Sequence, residues 1–129
     1  MTRKDKNALV QSAIKVRQNS YAPYSKFKVG AALLTTSHKI FTGCNVENNS
    51  YGLTICAERN AICNAVADGE TEFLAMAIVA DTPEPVLPCG ACRQVMAEFC
   101  PDLHLICANL KDQTAEYTLT GLLPNVFKL

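Results

Sequence analysis

Residues 3 to 19 carry Leu9, Val10, Ala13, Ile14 and Val16 close to i, i+3, i+4 spacing with charges between them, which predicts a surface helix ending near Asn19. The aromatic-rich stretch Tyr21-Ala22-Pro23-Tyr24-Ser25-Lys26-Phe27 is broken by a proline and reads as an ordered loop. Val29 to Leu34 is apolar throughout, as suits a strand covered on both faces, and Ile40 to Val46 is a second strand-like run. Thr35-Thr36-Ser37-His38-Lys39 between them reads as a hairpin turn, although it lacks an Asp-Gly signal. After the loop Glu47–Gly52 a helix is predicted from about Cys56 to Ala67. Ile55, Ile62, Ala65 and Val66 would line its buried side, and Asp68-Gly69 would end it.

Phe73 to Ala80 reads as a third, fully buried strand, and Asp81 to Pro88 as a proline-stiffened loop. A helix from about Gly90 to Phe99, a strand from Leu103 to Ala108 and a fifth strand from Thr114 to Leu119 complete the pattern. Strands alternating with helices in the second half predict an α/β layered fold. No repeat, low-complexity segment or internal boundary interrupts it, so residues 1–129 read as a single domain.

Composition narrows the function classes. With 49% hydrophobic and 19% charged residues the chain can fill a core. The formal charge is zero and no basic tract is present, which argues against a nucleic acid as obligatory partner. No apolar run reaches the roughly 20 residues that span a bilayer. Met1-Thr-Arg-Lys-Asp-Lys6 has no apolar region behind it, so it does not read as a secretory signal. Seven cysteines without such a signal point to metal binding or catalysis in a reducing compartment rather than to a disulfide framework, and the chain reads as cytoplasmic.

The candidate chemistry lies in two blocks, Cys56-Ala57-Glu58-Arg59 and Pro88-Cys89-Gly90-Ala91-Cys92-Arg93-Gln94. Both fall at predicted helix starts, where free N–H groups and the helix dipole favour anionic sulfur. Cys89-x-x-Cys92 alone is equally a redox pair or half of a structural zinc site. Cys56 and Glu58 shift the balance, because a redox pair needs neither and a structural site wants a fourth Cys or His. Cys63 lies two turns beyond Cys56, about 10 Å at 1.5 Å per residue, too far to share a metal with it. Cys44, Cys100 and Cys107 sit in apolar contexts where a free cysteine acts as a small hydrophobe. His38, in a turn, and His104, in a strand, read as structural or solvated. The expectation is a zinc site with three thiolates and one open position, and Glu58 placed to move protons there. Three thiolates and Zn²⁺ sum to a net negative charge, which Arg59 could offset by hydrogen-bonding to ligand sulfur; the plainer reading is a surface or interface salt bridge.

Cys-x-Glu followed by Pro-Cys-x-x-Cys is the all-cysteine form of the zinc deaminase signature. Together with Phe27-Lys-Val-Gly-Ala-Ala32 and Gly43-Cys-Asn-Val-Glu-Asn48, it resembles the small, homotetrameric class of cytidine deaminases. The resemblance runs from Tyr21-Ala-Pro-Tyr-Ser25 to Leu122-Leu-Pro-Asn-Val-Phe127. It implies a three-layer α/β/α domain with a mixed five-stranded sheet, one zinc per chain and a homotetramer. It also implies hydrolysis of cytidine or deoxycytidine to the uridine nucleoside and ammonia, a step of pyrimidine salvage. By position, Cys56, Cys89 and Cys92 would hold the zinc and Glu58 would shuttle protons between water, ring nitrogen N3 and the leaving amino group. Asn45 and Glu47 would bind the ribose 3′-hydroxyl, with Val46 in the same binding segment. Phe27 would pack on the pyrimidine, the Ala57 backbone would read the base's polar edge, and Phe127 would reach a neighbouring subunit's site. Without the resemblance, Phe27 and Phe127 read as core residues and Asn45-Val46-Glu47 as a solvated strand end.

Three other readings compete. A zinc-stabilised binding module predicts a fourth protein ligand and gives Glu58 no purpose. A nucleic-acid editor needs a charged channel that this short neutral chain does not suggest. A blasticidin S deaminase shares the zinc chemistry, but the Phe27 block and Asn45-Val46-Glu47-Asn48 favour a nucleoside substrate. The residues around Tyr51 are not wholly typical of the family, which bears on the pocket rim and not on the zinc chemistry.

Overall fold

The computed structural model describes residues 1–129. Helix α1 covers Arg3–Arg17. It starts at a capping box that the apolar pattern does not reveal: the Asp5 N–H donates to Thr2 Oγ1 at 3.1 Å and the Thr2 N–H to Asp5 Oδ2 at 3.0 Å. Strands β1 (Val29–Thr35) and β2 (Ile40–Cys44) form the predicted hairpin. In its turn His38 takes a positive φ of 64°, supplying the left-handed residue that the missing Asp-Gly would otherwise provide. Helix α2 (Ala57–Ala67), β3 (Phe73–Ala80) and α3 (Gly90–Phe99) follow within a residue of their predicted bounds. Strand β4 is His104–Asn109 and β5 is Thr114–Thr118, and a short α4 (Leu119–Leu122) takes over where the fifth strand was expected to end. A single 3₁₀ turn at Tyr51–Leu53 was not predicted.

The five strands lie in the order β2-β1-β3-β4-β5. Among neighbouring strands only β3 and β4 pair in parallel, joined by the crossover through α3; the α2 crossover carries β2 past β1 to β3, and the other neighbours are antiparallel. Side-chain alternation then divides the apolar runs between two faces. Ala31, Leu33, Met76, Ile78, Leu105 and Cys107 pack with Ala57, Ala61, Ile62 and Ala65 of α2 and Cys92 and Met96 of α3. Ala32, Leu34, Ala75, Ala77, Val79, Ile106 and Ala108 lie under Leu9 and Ala13 of α1. Both faces are covered, which is why β1, β3 and β4 read as continuous apolar runs. The three-layer α/β/α arrangement with a mixed five-stranded sheet is as expected.

Two features of α2 differ from the periodicity reading. Val66 is 39% exposed and Ile55 is 42% exposed, whereas the buried stripe is Glu58, Ala61, Ile62 and Ala65. That stripe is itself i, i+3, i+4, i+7, so a carboxylate occupies a position the helix pattern reserves for an apolar side chain. The helix also sits directly on the β2 backbone: a Cβ at Gly43 would lie 2.4 Å from Ala61 N and 2.5 Å from Ala57 O.

Gly43→Ala is therefore expected to destabilise the fold by about 1–3 kcal/mol through overpacking, lowering the denaturant midpoint. Gly52→Ala, with nothing within 4 Å of the added Cβ, is expected to stay within about 0.5 kcal/mol. Equal midpoints for both variants would mean that the α2–β2 contact tolerates a side chain and does not seat the helix.

Candidate active site

Two helix starts meet beside one end of the sheet. Cys56 is the N-cap of α2 and Cys89 the N-cap of α3, both with extended backbone (φ −70°) and neither using its side chain to cap. N-caps are usually Ser, Thr, Asp or Asn, whose oxygen turns back onto the helix N–H groups. A cysteine there leaves its sulfur free to point outward. Cys92, one turn along in α3, is buried and faces the same place. The three Sγ atoms all lie within 4.8 Å of one another, with Cys56 and Cys89 3.9 Å apart. Tetrahedral zinc with Zn–S near 2.3 Å holds its sulfurs about 3.8 Å apart, so the trio fits such an ion. No His, Asp, Glu or further Cys joins the cluster. Cys44, Cys63, Cys100 and Cys107 are free thiols outside it, and His104 instead pairs with Glu116 at 2.6 Å.

The electrostatics match that grouping. Cys56 is drawn down to about 5, first by the neighbouring Cys92 sulfur and then by Arg59, whose Nη2 lies 3.5 Å from its sulfur. Cys92 is pushed up by the nearby Cys56 and by burial. Glu58 is 5% exposed, and burial raises its carboxyl to about 7, with the negative Cys56 adding to the effect. The hydrogen bond to Cys56 raises Arg59 above its ordinary value and keeps it cationic. Arg59 Nη2 also lies 3.5 Å from Thr54 O, so the guanidinium is turned inward and makes no acidic salt bridge.

Beside the sulfurs is a cavity of about 260 Å³, at the small end for ligand pockets. Phe27, Asn45, Glu47, Cys56, Ala57 and Glu58 all line it. Antiparallel pairing of β1 with β2 puts the start of one strand beside the end of the other, which brings the Phe27 loop to Asn45 and Glu47. Asn45 clamps that junction: its Oδ1 accepts from the Val29 N–H at 2.9 Å and its Nδ2 donates to Phe27 O at 2.7 Å. Glu47 Oε1 accepts from the Tyr24 and Ser25 N–H groups at 3.0 and 3.1 Å, and its Oε2 accepts from the Ser25 hydroxyl. The Ser25 bonds hold the carboxyl below the usual carboxylate range, so it stays ionised although 5% exposed. Ala57 opens α2, where a backbone N–H has no partner within the helix and is available to an acceptor in the cavity.

One expected contact lies elsewhere. Val46 does not line the cavity: it is 43% exposed and faces Asn60 and Asn64 on the opposite side. Residues 45–47 are extended, and alternation turns Val46 away from Asn45 and Glu47. Phe127 is 69% exposed and far from its own chain's cavity, beside Gln94 and Glu98 of α3. Tyr51 lines the site, in the segment the sequence placed at the pocket rim, but sequence reasoning missed Ser25, Thr54 and Ile78. Ser25 and Thr54 come from loops whose convergence leaves no periodic signal. It also missed Asn109, buried at the end of β4, whose Nδ2 donates to Thr82 O at 3.0 Å and Pro83 O at 3.2 Å and anchors the loop leading to Cys89.

Comparison with known proteins agrees with this geometry. Residues 3–108 match the family described as the cytidine and deoxycytidylate deaminase zinc-binding region. The chain is 50% identical over 124 residues to a cytidine deaminase of Halalkalibacterium halodurans, covering 95% of this chain and 94% of that one. It is 51% identical over 124 residues to a cytidine deaminase of Sporosarcina psychrophila, covering 95% and 91%. The crystal structure of cytidine deaminase from Burkholderia pseudomallei superposes with a TM-score of 0.93 at 48% identity, over 98% of this chain and 100% of that one. With three sulfurs grouped for zinc and a family match over most of its length, the chain belongs to the cytidine and deoxycytidylate deaminase family.

Proposed function

We propose that the protein hydrolyses cytidine and deoxycytidine to uridine and deoxyuridine with release of ammonia, using one zinc ion per chain. The observation that carries this reading is a buried carboxylic acid, Glu58, one residue from Ala57 and two from Cys56, at the meeting point of the sulfur trio and the cavity. Cys56, Cys89 and Cys92 are the ligands. When bound there, zinc supplies the Lewis acidity that makes water a nucleophile near neutral pH.

Glu58 carries the protons. It accepts one from the attacking water and delivers it to N3 of the pyrimidine, which makes C4 electrophilic. It then takes the proton of the hydroxyl now bonded to C4 and passes it to the amino group, which leaves as ammonia while the C4–N bond breaks and the C4 carbonyl forms. Burial suits it to both duties, since a carboxyl raised toward neutrality gains and loses a proton at small cost. Phe27 packs on the base, and the Ala57 N–H meets the base's polar edge. Asn45 and Glu47 take the ribose 3′-hydroxyl with the hydrogen-bonding capacity their internal bonds leave over, and Val46 acts only as the spacer that turns both inward. Arg59 withdraws charge from Cys56 sulfur, and its inward position favours this over a salt bridge.

The active form is a homotetramer in the cytoplasm, serving pyrimidine salvage, with residues 1–129 acting as one domain. Phe127 supports the assembly: an exposed ring away from its own cavity is available to a neighbour's. Seven free thiols suit a reducing compartment, and no helix is long and apolar enough to cross a membrane.

Purified zinc-loaded protein is expected to convert the ultraviolet spectrum of cytidine to that of uridine, and Glu58→Gln to lower kcat at least about a hundredfold while zinc stays bound. A folded, zinc-loaded wild type inert toward both nucleosides would end this reading. Arg59→Gln is expected to cost about 10–100-fold in zinc affinity or turnover, and no change in either would remove its tuning role. Sedimentation should give about four times the 14.0 kDa chain mass; a fully active monomer would refute the shared site.

A further inference from the structure

We infer that Arg93 is a positioning residue for the zinc site, one that fixes the backbone around Cys89 and is braced by the C-terminal segment. The inference rests on the three-cysteine zinc reading above.

Cys92 is buried and held by packing, but Cys89 is exposed and has no such support. Its position depends on the two peptide groups that flank it. Both are tied to Arg93. The Arg93 backbone N–H donates to Cys89 O at 3.0 Å, and the Arg93 Nε donates to Pro88 O at 2.9 Å. The Pro88 carbonyl belongs to the peptide that leads directly into Cys89. With both peptides held, only rotation about the side chain's own bond still moves the Cys89 sulfur.

The same guanidinium has a second anchor. Arg93 Nη1 donates to Leu122 O at 2.9 Å, at the end of α4, where carbonyls lack partners within the helix. Leu122 and Leu123 pack against the apolar cluster that contains Cys92 and Cys107, so this carbonyl is itself fixed. The planar fork of arginine can hold two acceptors in set directions, which a lysine ammonium cannot reproduce. A plain tail anchor is the competing account. Gln94 offers a control, because its Nε2 ties the tail at Phe127 O (3.2 Å) without touching Pro88.

The test is the rate at which holoprotein gives up zinc to a chromogenic chelator, with folding followed by circular dichroism. Wild type is expected to hold one zinc per chain. Arg93→Met should release it about 10–100-fold faster, the usual scale for groups that orient metal ligands. Arg93→Lys should fall between, and Gln94→Ala should match wild type. A folded Arg93→Met that releases zinc at the wild-type rate would overturn the inference, as would Gln94→Ala accelerating release equally. If Arg93→Met does not fold, Arg93→Lys decides, and a wild-type rate there overturns it. Wild type holding no zinc at all would overturn both this inference and the zinc reading beneath it.

Discussion

Three sulfurs and a carboxylate brought together beside a buried strand end would repel one another if all were ionised, with little water between them to screen the charge. The site answers this repulsion at every level of the fold. The Cys56 thiol is drawn down and the Cys92 thiol pushed up, burial raises the Glu58 carboxyl toward neutrality, and Arg59 adds a fixed positive charge at the sulfur. Two helix N-termini aim their partial positive charge at the same place. A divalent cation among the sulfurs completes this balance. The placement of α2 and α3 over one face of the sheet sets two helix starts side by side and brings Cys56 and the Cys89–Cys92 pair within reach of one ion.

Asn45 and Glu47, on the other side of the cavity, follow the opposite principle, with their polar groups already engaged. Asn45 and Glu47 are buried, and leaving them unpaired would cost about 1–3 kcal/mol each. They spend part of their capacity on the Val29, Phe27, Tyr24 and Ser25 backbone, so the walls are rigid before any ligand arrives. In the proposed substrate role, a ligand would meet acceptors and donors already set in place, which limits the entropy lost on binding. Lys26, at a positive φ of 60°, makes the turn that delivers Phe27 to this wall.

Scaffold and site are linked through contacts made onto the backbone. Gly43 lets α2 rest on β2, Asn109 anchors the loop before Cys89, and Arg93 joins that loop to the C-terminal segment. Each acts on where a helix begins, and the helix starts set the sulfur positions.

Much of this was legible in the residues alone. Uninterrupted apolar runs at Val29–Leu34 and Phe73–Ala80 require a sheet covered on both faces, and Cys56-x-Glu58 with Cys89-x-x-Cys92 carries the metal chemistry in its spacing. Local rules suffice there, because helix starts, strand alternation and ligand spacing are short-range properties of the chain. The direction of Val46, the exposure of Val66 and the burial of Glu58 were decided by tertiary packing, which selects one face of an element from the several that periodicity allows. Ser25 reaches Glu47 across 22 residues, and Arg93 reaches Leu122 across 29. Such contacts leave no periodic trace, because nothing local distinguishes a serine or arginine that will meet a distant carboxylate or carbonyl from one that will meet water.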